Sequence, residues 1–574
     1  MTGVFPIMDL ASCPVGNALL DALPDPSWRF VFPTQASANS WASAVARLDE
    51  SAVAEKDRFL SWDRFLNLCR AKDEGETGPA RADASLRLLW AHSALARGER
   101  GELPLKRLSP PGLSPTDALR EQIALLPPDL PRLIRALARL PEKHPDRSGG
   151  LLEDYRILQA DYSRFLERHG LEEESWIPPR LPPKGRWLGF CPEFFSGFDA
   201  WKNTLLSQNR LTLIEGKKLL SDIGFTAERF SSAQEEMDSA FARLAELMDQ
   251  GAQPEDLSIL VPRLDPLTQA YLRSFSRRFG LPVAFRTGKR LLDSPFGRIL
   301  SSISTAEADG WSLSSLRALL SPGAFSWKEA FAAAALLRFG KKHSMPELSM
   351  DPRGNPRLWE ATLRLCSRDD QAPGEFFRKL GASARRISSA RDFPALRRTL
   401  FEFRSGFLDE SGLEPEAART LERVFAELDA LEAWEGRLGA SMPDSPRLGI
   451  FLSALGSTSY AAQPDEAAVP VYPFRVGILL ASRHSVVIDL SLNSTAEARR
   501  HLTRLPEELA TYLGDEEEAS WNEELFIRSL SGAETRYCHA LRGWAGYSLP
   551  HPFLLSAGTR ACEGRPAAPP PEDL

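Results

Sequence analysis

From residue 237 to residue 300, the spacing of hydrophobic residues switches between the helical and the strand pattern. Apolar residues recur every three or four positions from Met237 to Met248, and Gly251 follows them. This spacing predicts an amphipathic helix that ends at a glycine. The unbroken apolar run 257–261 comes next and predicts a short buried strand.

The same stretch contains signals for two further helices. Asp265-Pro266 and Ser294-Pro295 each place a capping residue before a proline, which favours the start of a helix. Gly280 is suited to end the first of these helices. Residues 283–285, between the two helices, predict another strand. The order of elements from residue 237 is therefore helix, strand, helix, strand, helix.

Elsewhere the strand-like and helix-like patterns are separated along the chain. Strand-like runs lie at 29–32, 186–190, 211–214, 469–471, 476–480 and 486–488, and helical spacing dominates about 60–180 and 311–460. This distribution predicts two α/β units, each interrupted by a helical insertion. The alternative is a mainly helical protein in which short buried runs imitate strands, since such runs are ambiguous.

The motifs around these elements resemble a known family. The string Gly251-Ala-Gln-Pro-Glu-Asp256-Leu-Ser-Ile-Leu-Val-Pro262, with 279–282 and 291–295 after it, resembles the second motor domain of UvrD-like helicases. It looks most like the AddB-type subunits of bacterial helicase–nucleases. That resemblance implies an α/β fold of two RecA-like parallel-sheet domains, each interrupted by a helical insertion, as in superfamily-one helicases.

The resemblance and the pattern together predict domain boundaries. The first RecA-like domain would comprise 1–60 and 181–225, and the second 226–310 and 466–550. The helical insertions would be 61–180 and 311–465. From Gly558 on, the chain is polar and rich in proline, and 551–574 is expected to be a disordered tail.

The groups that a motor uses to bind and hydrolyse ATP are missing from the sequence. No G-x-x-x-x-G-K-[ST] string is present, and after the first strand the chain reads Phe32-Pro33-Thr34, which resembles degenerate AddB-like proteins. Glu193 is a single carboxylate where motors have an adjacent pair. The position of the arginine that would stabilise phosphoryl transfer falls on Gly532. We therefore expect no ATP hydrolysis and no bound cofactor.

AddB-type proteins usually continue into a nuclease domain whose cysteines bind an iron–sulfur cluster. Here the six cysteines are dispersed, and too few residues follow the second α/β unit to build that domain. We expect this chain to lack that domain, and it is then either a full-length product or the front part of a longer or split one. An alternative is a Mg²⁺-dependent nuclease that uses Asp199, Glu215 and Lys217, although an E-x-K string is common by chance.

Two basic runs, residues 273–290 and 378–404, stand out because the formal net charge of the chain is −7. Arginine suits phosphate because its planar group forms two parallel hydrogen bonds. The candidate DNA-binding residues are Arg273, Arg277, Arg278, Arg286, Lys289, Arg290, Arg385, Arg386, Arg397 and Arg398. Phe376, Phe377 and Phe393 could stack on bases. The alternative is that the arginines lie on solvated helix faces and the phenylalanines in the core.

The resemblance implies a non-catalytic scaffold subunit in DNA recombination or double-strand-break repair. Its expected partners are DNA, as a single strand or a duplex end, and an AddA-like helicase–nuclease subunit. A protein with no nucleic-acid role is the remaining alternative. Neither a signal sequence nor an apolar run long enough to cross a membrane is evident, and the scattered cysteines favour the cytoplasm.

Overall fold

The computed structural model shows two compact units, each assembled from separated stretches of chain. Unit 1 comprises Met1–Thr77, Ile177–Thr287 and Gln463–Leu574, and unit 2 comprises Gly78–Trp176 and Gly288–Ala462. The structure describes residues 13–47, 56–71, 79–109, 114–138, 145–220, 225–321, 323, 325–347, 355–366, 372–439, 442, 445–460, 467–494, 523–543, 546–556 and 560–561.

The elements of the first half of the chain alternate between strands and helices. They are α1 (Pro14–Ala22), β1 (Trp28–Phe32), α2 (Gln35–Ala46), β2 (Phe59–Ser61), α3 (Trp62–Arg70), β3 (Ala80–Arg81), α4 (Ala84–Glu99), α5 (Asp117–Leu125), α6 (Leu130–Ala138), α7 (Pro145–His169), β4 (Leu171–Glu172), β5 (Arg186–Phe190), α8 (Phe198–Leu206), β6 (Leu211–Ile214), α9 (Gly216–Leu220), β7 (Phe225–Phe230), α10 (Ala233–Asp249), β8 (Leu257–Val261), α11 (Pro266–Phe279) and β9 (Val283–Phe285).

The second half begins with a helical region and returns to strands. Its elements are β10 (Lys289–Arg290), α12 (Pro295–Asp309), α13 (Leu313–Leu320), β11 (Ser326–Trp327), α14 (Ala330–Lys342), α15 (Asn355–Cys366), α16 (Ala372–Ser389), α17 (Phe393–Phe407), β12 (Leu408–Asp409), α18 (Pro415–Leu438), α19 (Arg447–Ser457), β13 (Ser459–Tyr460), β14 (Val469–Pro473), β15 (His484–Val487), α20 (Glu523–Ser529), β16 (Glu534–Ala540), β17 (Arg542–Gly543), β18 (Gly546–Tyr547), α21 (Pro552–Ser556) and β19 (Arg560–Ala561).

Unit 1 contains two parallel sheets. The first has the order β2-β1-β5-β6, and the second has the order β19-β7-β16-β15-β8-β14-β9. Every strand pairing within them is parallel. The strand order of the first sheet reverses at β1, because β2 is added on one side of β1 and β5 on the other. In open parallel sheets such a reversal opens a crevice at the carboxyl ends of the strands.

The two sheets of unit 1 share one hydrophobic core. Phe32 and Phe190 of the first sheet belong to the same buried cluster as Leu260, Val487 and Tyr537 of the second. The outer face of the second sheet packs on α10 and α11 through a separate cluster. A third cluster covers the other face of the first sheet. Burial on both faces explains why these strands are apolar runs rather than alternating patterns.

Unit 2 is mainly helical and combines two separate stretches of chain. Helix α4 of the first stretch packs on α18 and α19 of the second, and α12 contacts α13, α16, α18 and α19. Within the described part of the chain, no helix is long and apolar enough to cross a bilayer.

Several boundaries differ from those expected from the sequence. Helix α3 belongs to unit 1, although 61–180 was the expected first insertion. Helix α12 belongs to unit 2, although the second α/β unit was expected to extend to residue 310. The expected strands at 29–32, 186–190, 211–214, 257–261 and 283–285 are confirmed.

Two expectations are wrong. Residues 476–480 form turns instead of a strand, and Leu479 has a left-handed φ of 58°. This apolar run is buried by packing on α2 and gains no strand partner. The expected disordered tail contains helix α21 and strand β19, which pairs with β7. Residues 562–574 of that tail lie outside the described residues.

Candidate functional site

The crevice at the carboxyl end of β1 is the place where a phosphate-binding loop would lie. Thr34 caps helix α2 there, and its hydroxyl accepts a hydrogen bond from the backbone N–H of Ser37 (3.1 Å). The Ser37 hydroxyl in turn accepts one from the backbone N–H of Thr34 (3.1 Å). This reciprocal cap uses backbone donors that would otherwise be available to an anion at a helix start.

A segment of the second sheet fills the rest of this crevice. We call residues 474–482, which join β14 to β15, the crevice segment. The Thr34 hydroxyl donates a hydrogen bond to the carbonyl oxygen of Val476 (3.1 Å). The indole N–H of Trp41 donates to the carbonyl of Leu479 (2.9 Å), and the backbone N–H of Ala481 donates to the hydroxyl of Ser40 (3.1 Å). These three bonds fasten α2 to the crevice segment.

Hydrophobic packing closes the same region. Trp41 is 2% exposed and is stacked with Phe32 at a ring distance of 6.4 Å. Phe474 and Leu479 belong to the same buried cluster. A triphosphate carries several negative charges, which would lose their hydration in such surroundings. The crevice in this structure is therefore part of the core.

The end of β5 provides no open carboxylate. The backbone N–H of Gly216 donates to both carboxylate oxygens of Glu193, at 2.9 and 3.2 Å. Burial raises the pKa of Glu193, and the nearby charge of Glu215 raises it further. Glu193 therefore holds the start of α9, which is a structural role.

The helicase resemblance predicts that Gly532 stands where active motors have an arginine. It lies between α20 and β16, and a Cβ atom built there would be 2.4 Å from the carbonyl oxygen of Ser482 and 2.7 Å from the hydroxyl of Ser485. Both neighbours belong to the second sheet or to the crevice segment. A side chain of any size is excluded at this position.

The residues of the alternative nuclease lie near β6. Glu215 follows β6 and Lys217 lies in α9, and both side chains are exposed. Asp199 lies in α8, but its side chain is outside the described part of the structure. Among the residues that the structure describes, no group of three or more His, Cys, Asp or Glu could hold a metal ion.

Half of the ten candidate DNA-binding residues are engaged in ion pairs. Arg278 pairs with Asp238, Lys289 with Glu416, Arg290 with Asp293, Arg386 with Glu402, and Arg397 with Asp429 and Glu432. The first basic run is also divided, since Arg273, Arg277, Arg278 and Arg286 belong to unit 1 but Lys289 and Arg290 to unit 2.

The other five candidates have no ion-pair partner among the described residues. The Arg273 side chain donates to Gln269 and lies 5.0 Å from the ring of Phe285. Arg277, Arg286, Arg385 and Arg398 are exposed. The charge of Arg385 lowers the pKa of Glu307, although burial raises it more strongly.

The three phenylalanines proposed as stacking faces are core residues. Phe376, Phe377 and Phe393 are at most 4% exposed. Phe377 packs on Trp311 and Trp359, and Phe376 packs on Trp327. The expectation that these rings stack on bases is therefore wrong. Aromatic residues at helical spacing lie in the core because burial of a ring stabilises a folded protein strongly.

A buried carboxyl group, that of Glu236, lies near the carboxyl end of β15 and makes the stability of the protein depend on pH. Glu236 of α10 is 1% exposed and accepts a hydrogen bond from the backbone N–H of Asp489 (2.7 Å). Burial, with a further contribution from the charge of Asp489, raises its pKa to about 8. The folded protein thus keeps a proton that the unfolded chain loses at lower pH.

We expect Glu236→Gln to remove a pH dependence of stability. Because the folded pKa is raised, the wild type loses stability as pH rises, by about 1.4 kcal/mol between pH 6 and pH 7. The glutamine can accept the same hydrogen bond without a charge, so the variant should lack this loss. Urea unfolding at both pH values measures the difference. Parallel pH profiles of the two proteins would contradict it.

The structure defines this protein as a mixed α/β protein with parallel sheets and many helices. Residues 15–215 match the family model described as the Treponema TP0900 N-terminal P-loop domain. Residues 292–461, which lie within unit 2, match the model described as the Treponema TP0900 fourth helical domain.

A second comparison covers most of the chain. The chain is 24% identical over 578 residues to a protein of Treponema pallidum (strain Nichols) described as "Uncharacterized protein". The match covers 92% of this chain and 72% of that relative. The two family models carry the TP0900 description, the relative has no described function, and the resemblance to AddB-type subunits stays a prediction.

Proposed function

We propose that this chain is a non-catalytic helicase-fold scaffold in DNA recombination or double-strand-break repair. In this role it binds DNA, an AddA-like motor–nuclease, or both. Its two sheets would correspond to two RecA-like domains, and its helical unit to their insertions. The observation that carries the proposal is the closed crevice, in which Trp41 and Thr34 are bonded to the crevice segment.

Three features support the absence of catalysis. A domain that matches a P-loop family lacks the phosphate-loop string. Its remaining carboxylate, Glu193, caps α9. At Gly532 there is no room for a charge-stabilising arginine, a group that is worth about 10³–10⁵ in rate where it is present. Such a subunit contributes a binding surface and a structural framework to its complex instead of catalysis.

The first test measures nucleotide use. The purified chain should neither bind a fluorescent ATP analogue nor release phosphate from Mg-ATP, with or without DNA ends. An active UvrD-like helicase serves as the positive control. Turnover of ATP that depends on DNA would contradict the proposal. So would Mg²⁺-dependent DNA cleavage that is abolished by Glu215→Ala.

The second test measures DNA binding through matched pairs of arginines. Arg385→Ser with Arg398→Ser should weaken binding to single strands and duplex ends, and should reduce the slope of log K against log salt by about 1 for each phosphate that is no longer neutralised. The control is Arg290→Ser with Arg386→Ser, which changes the net charge equally but removes cations that are already paired. An equal weakening in both variants would mean that binding follows net charge rather than these sites.

A further inference from the structure

Helix α15 of unit 2 has apolar residues on two opposite sides. Trp359 and Leu363 face the core and are 0% and 5% exposed. On the solvent side, Leu358 is 45% exposed and Leu365 is 76% exposed. These two leucines are seven residues apart, so they lie on the same side of the helix two turns apart. A buried face explains the first pair, but nothing within the described unit covers the second.

Arginines accompany the exposed leucines at the same spacing. Arg357 and Arg364 each precede one of the leucines and are exposed. The solvent side of α15 therefore carries a row of two leucines beside a row of two arginines, with Ala361 between the turns. The acidic residue of α15, Glu360, is half-buried.

Helix α14 extends this surface. Gly340 of α14 packs against the indole ring of Trp359, since a Cβ atom there would lie 2.6 Å from it. Arg338, Lys341 and Lys342 of α14 are exposed, and this helix contains no acidic residue. Phe331, at its start, is 76% exposed. We call the exposed residues of α14 and α15 the basic–leucine surface.

The cations of this surface differ from most others in unit 2. Arg317, Arg386, Arg397 and Arg404 each pair with a carboxylate. In contrast, Arg338, Lys341, Lys342, Arg357 and Arg364 have no ion-pair partner within the described residues. Five cations without an ion-pair partner among the described residues thus lie beside exposed apolar groups, and one of them, Arg338, lies 5.8 Å from the ring of Phe331. Exposed apolar groups that are bordered by charge mark interaction sites.

We propose that the basic–leucine surface binds an acidic amphipathic helix of a partner protein. Leucines at a seven-residue spacing match the apolar face of a docked helix, and the flanking arginines and lysines match its carboxylates. A nucleic acid would use the cations but would leave Leu358 and Leu365 in water. This inference rests on the proposed scaffold function, for which it identifies the surface and the chemistry of the partner.

The test uses a labelled synthetic peptide with leucines at helical spacing flanked by glutamates, and a shuffled peptide of the same composition. Fluorescence anisotropy should show that the purified full chain binds the first at least about tenfold more tightly than the second. Leu358→Asp with Leu365→Asp, and separately Arg357→Glu with Arg364→Glu, should each weaken binding by about tenfold or more. Circular dichroism confirms that each variant is folded.

Two controls make the result specific. Arg298→Glu with Arg419→Glu, which reverses two exposed arginines on α12 and α18, should leave peptide binding unchanged. A peptide whose glutamates are replaced by lysine should bind the Arg357→Glu/Arg364→Glu variant better than it binds the wild type. Loss of structure would not produce that exchange. General electrostatic attraction would produce it equally in the first control variant, which has the same net charge and should not bind the lysine peptide better than the wild type.

Three outcomes would overturn the inference. The shuffled peptide could bind as tightly as the amphipathic one, or the leucine variant could bind normally. Alternatively, single-stranded DNA or anionic vesicles could bind through the arginines, independently of the leucines, while the peptide does not bind. Each of these results leaves the nucleotide and DNA tests of the scaffold function unaffected, so the two proposals fail separately.

Discussion

Gly532→Arg, which introduces the residue that the helicase resemblance predicts for an active motor, should destabilise this protein and create no ATPase activity. The Cβ atom alone would lie 2.4 Å from the carbonyl oxygen of Ser482, which also accepts a hydrogen bond from Ala533. The nearest atom belongs to the backbone of Ser482, which cannot move aside as the end of a flexible side chain could. Forcing atoms into a packed site costs about 1–3 kcal/mol, and a clash with backbone is at the upper end or beyond.

Urea unfolding of Gly532→Ala and Gly532→Arg measures this cost. The matched control is Gly436→Ala in α18, where a Cβ atom meets nothing within 4 Å. A helical glycine without close neighbours should gain about 0.5–1 kcal/mol when it becomes alanine. If Gly532→Ala were as stable as the wild type, the crevice segment would be less tightly packed on β16 than the structure shows.

Trp41→Ala should lower the free energy of unfolding by about 3–5 kcal/mol, the usual cost of removing a buried tryptophan. Trp41 lies in the core that both sheets share, and it is stacked with Phe32. Its removal also leaves the carbonyl of Leu479 without the indole donor. The change therefore weakens the connection between α2 and the crevice segment as well as the core.

The conservative variant Trp41→Phe separates the two contributions. It keeps an aromatic ring but loses the N–H, so we expect a cost of about 1–3 kcal/mol from the unpaired carbonyl. Denaturant titrations followed by circular dichroism give both values. A loss below about 1 kcal/mol for Trp41→Ala would mean that the crevice is open in solution, since tryptophan would then contribute little burial. Binding of the ATP analogue by that variant should be measured alongside.

Local sequence signals predicted individual elements well. Asp265 caps α11 through a hydrogen bond from the backbone N–H of Thr268, and Gly280 ends the helix with a φ of 62°, as expected. Ser294 caps α12 in the same way. These helix starts and ends depend on a few adjacent residues, so they can be predicted without any knowledge of the fold.

Elements that depend on distant partners were harder to predict. The hydrophobic pattern did not reveal β7 or β16, although β16 lies inside the second sheet between β7 and β15. Conversely, it predicted a strand at 476–480, where the chain turns and packs on α2. An apolar run indicates burial, but whether it extends depends on a neighbouring strand that is far away in sequence.

The candidate site was partly predictable. The missing phosphate-loop string and the position of Thr34 were read from the sequence, and Gly532 was placed at the arginine position. Nothing in the sequence indicated that Trp41 would donate to Leu479. The arginine runs were visible too, but their ion pairs were not, because most partners come from other elements.

By itself, the amino-acid sequence determined where several helices begin and end, which apolar runs are buried, and that the phosphate-loop string is missing, because each of these is set by adjacent residues. Only the tertiary structure decided that the crevice is closed and that unpaired cations remain on α14 and α15. Both outcomes depend on which distant residues meet. The sequence around an apolar or charged residue looks the same whether its side chain contacts another part of the protein or lies in water.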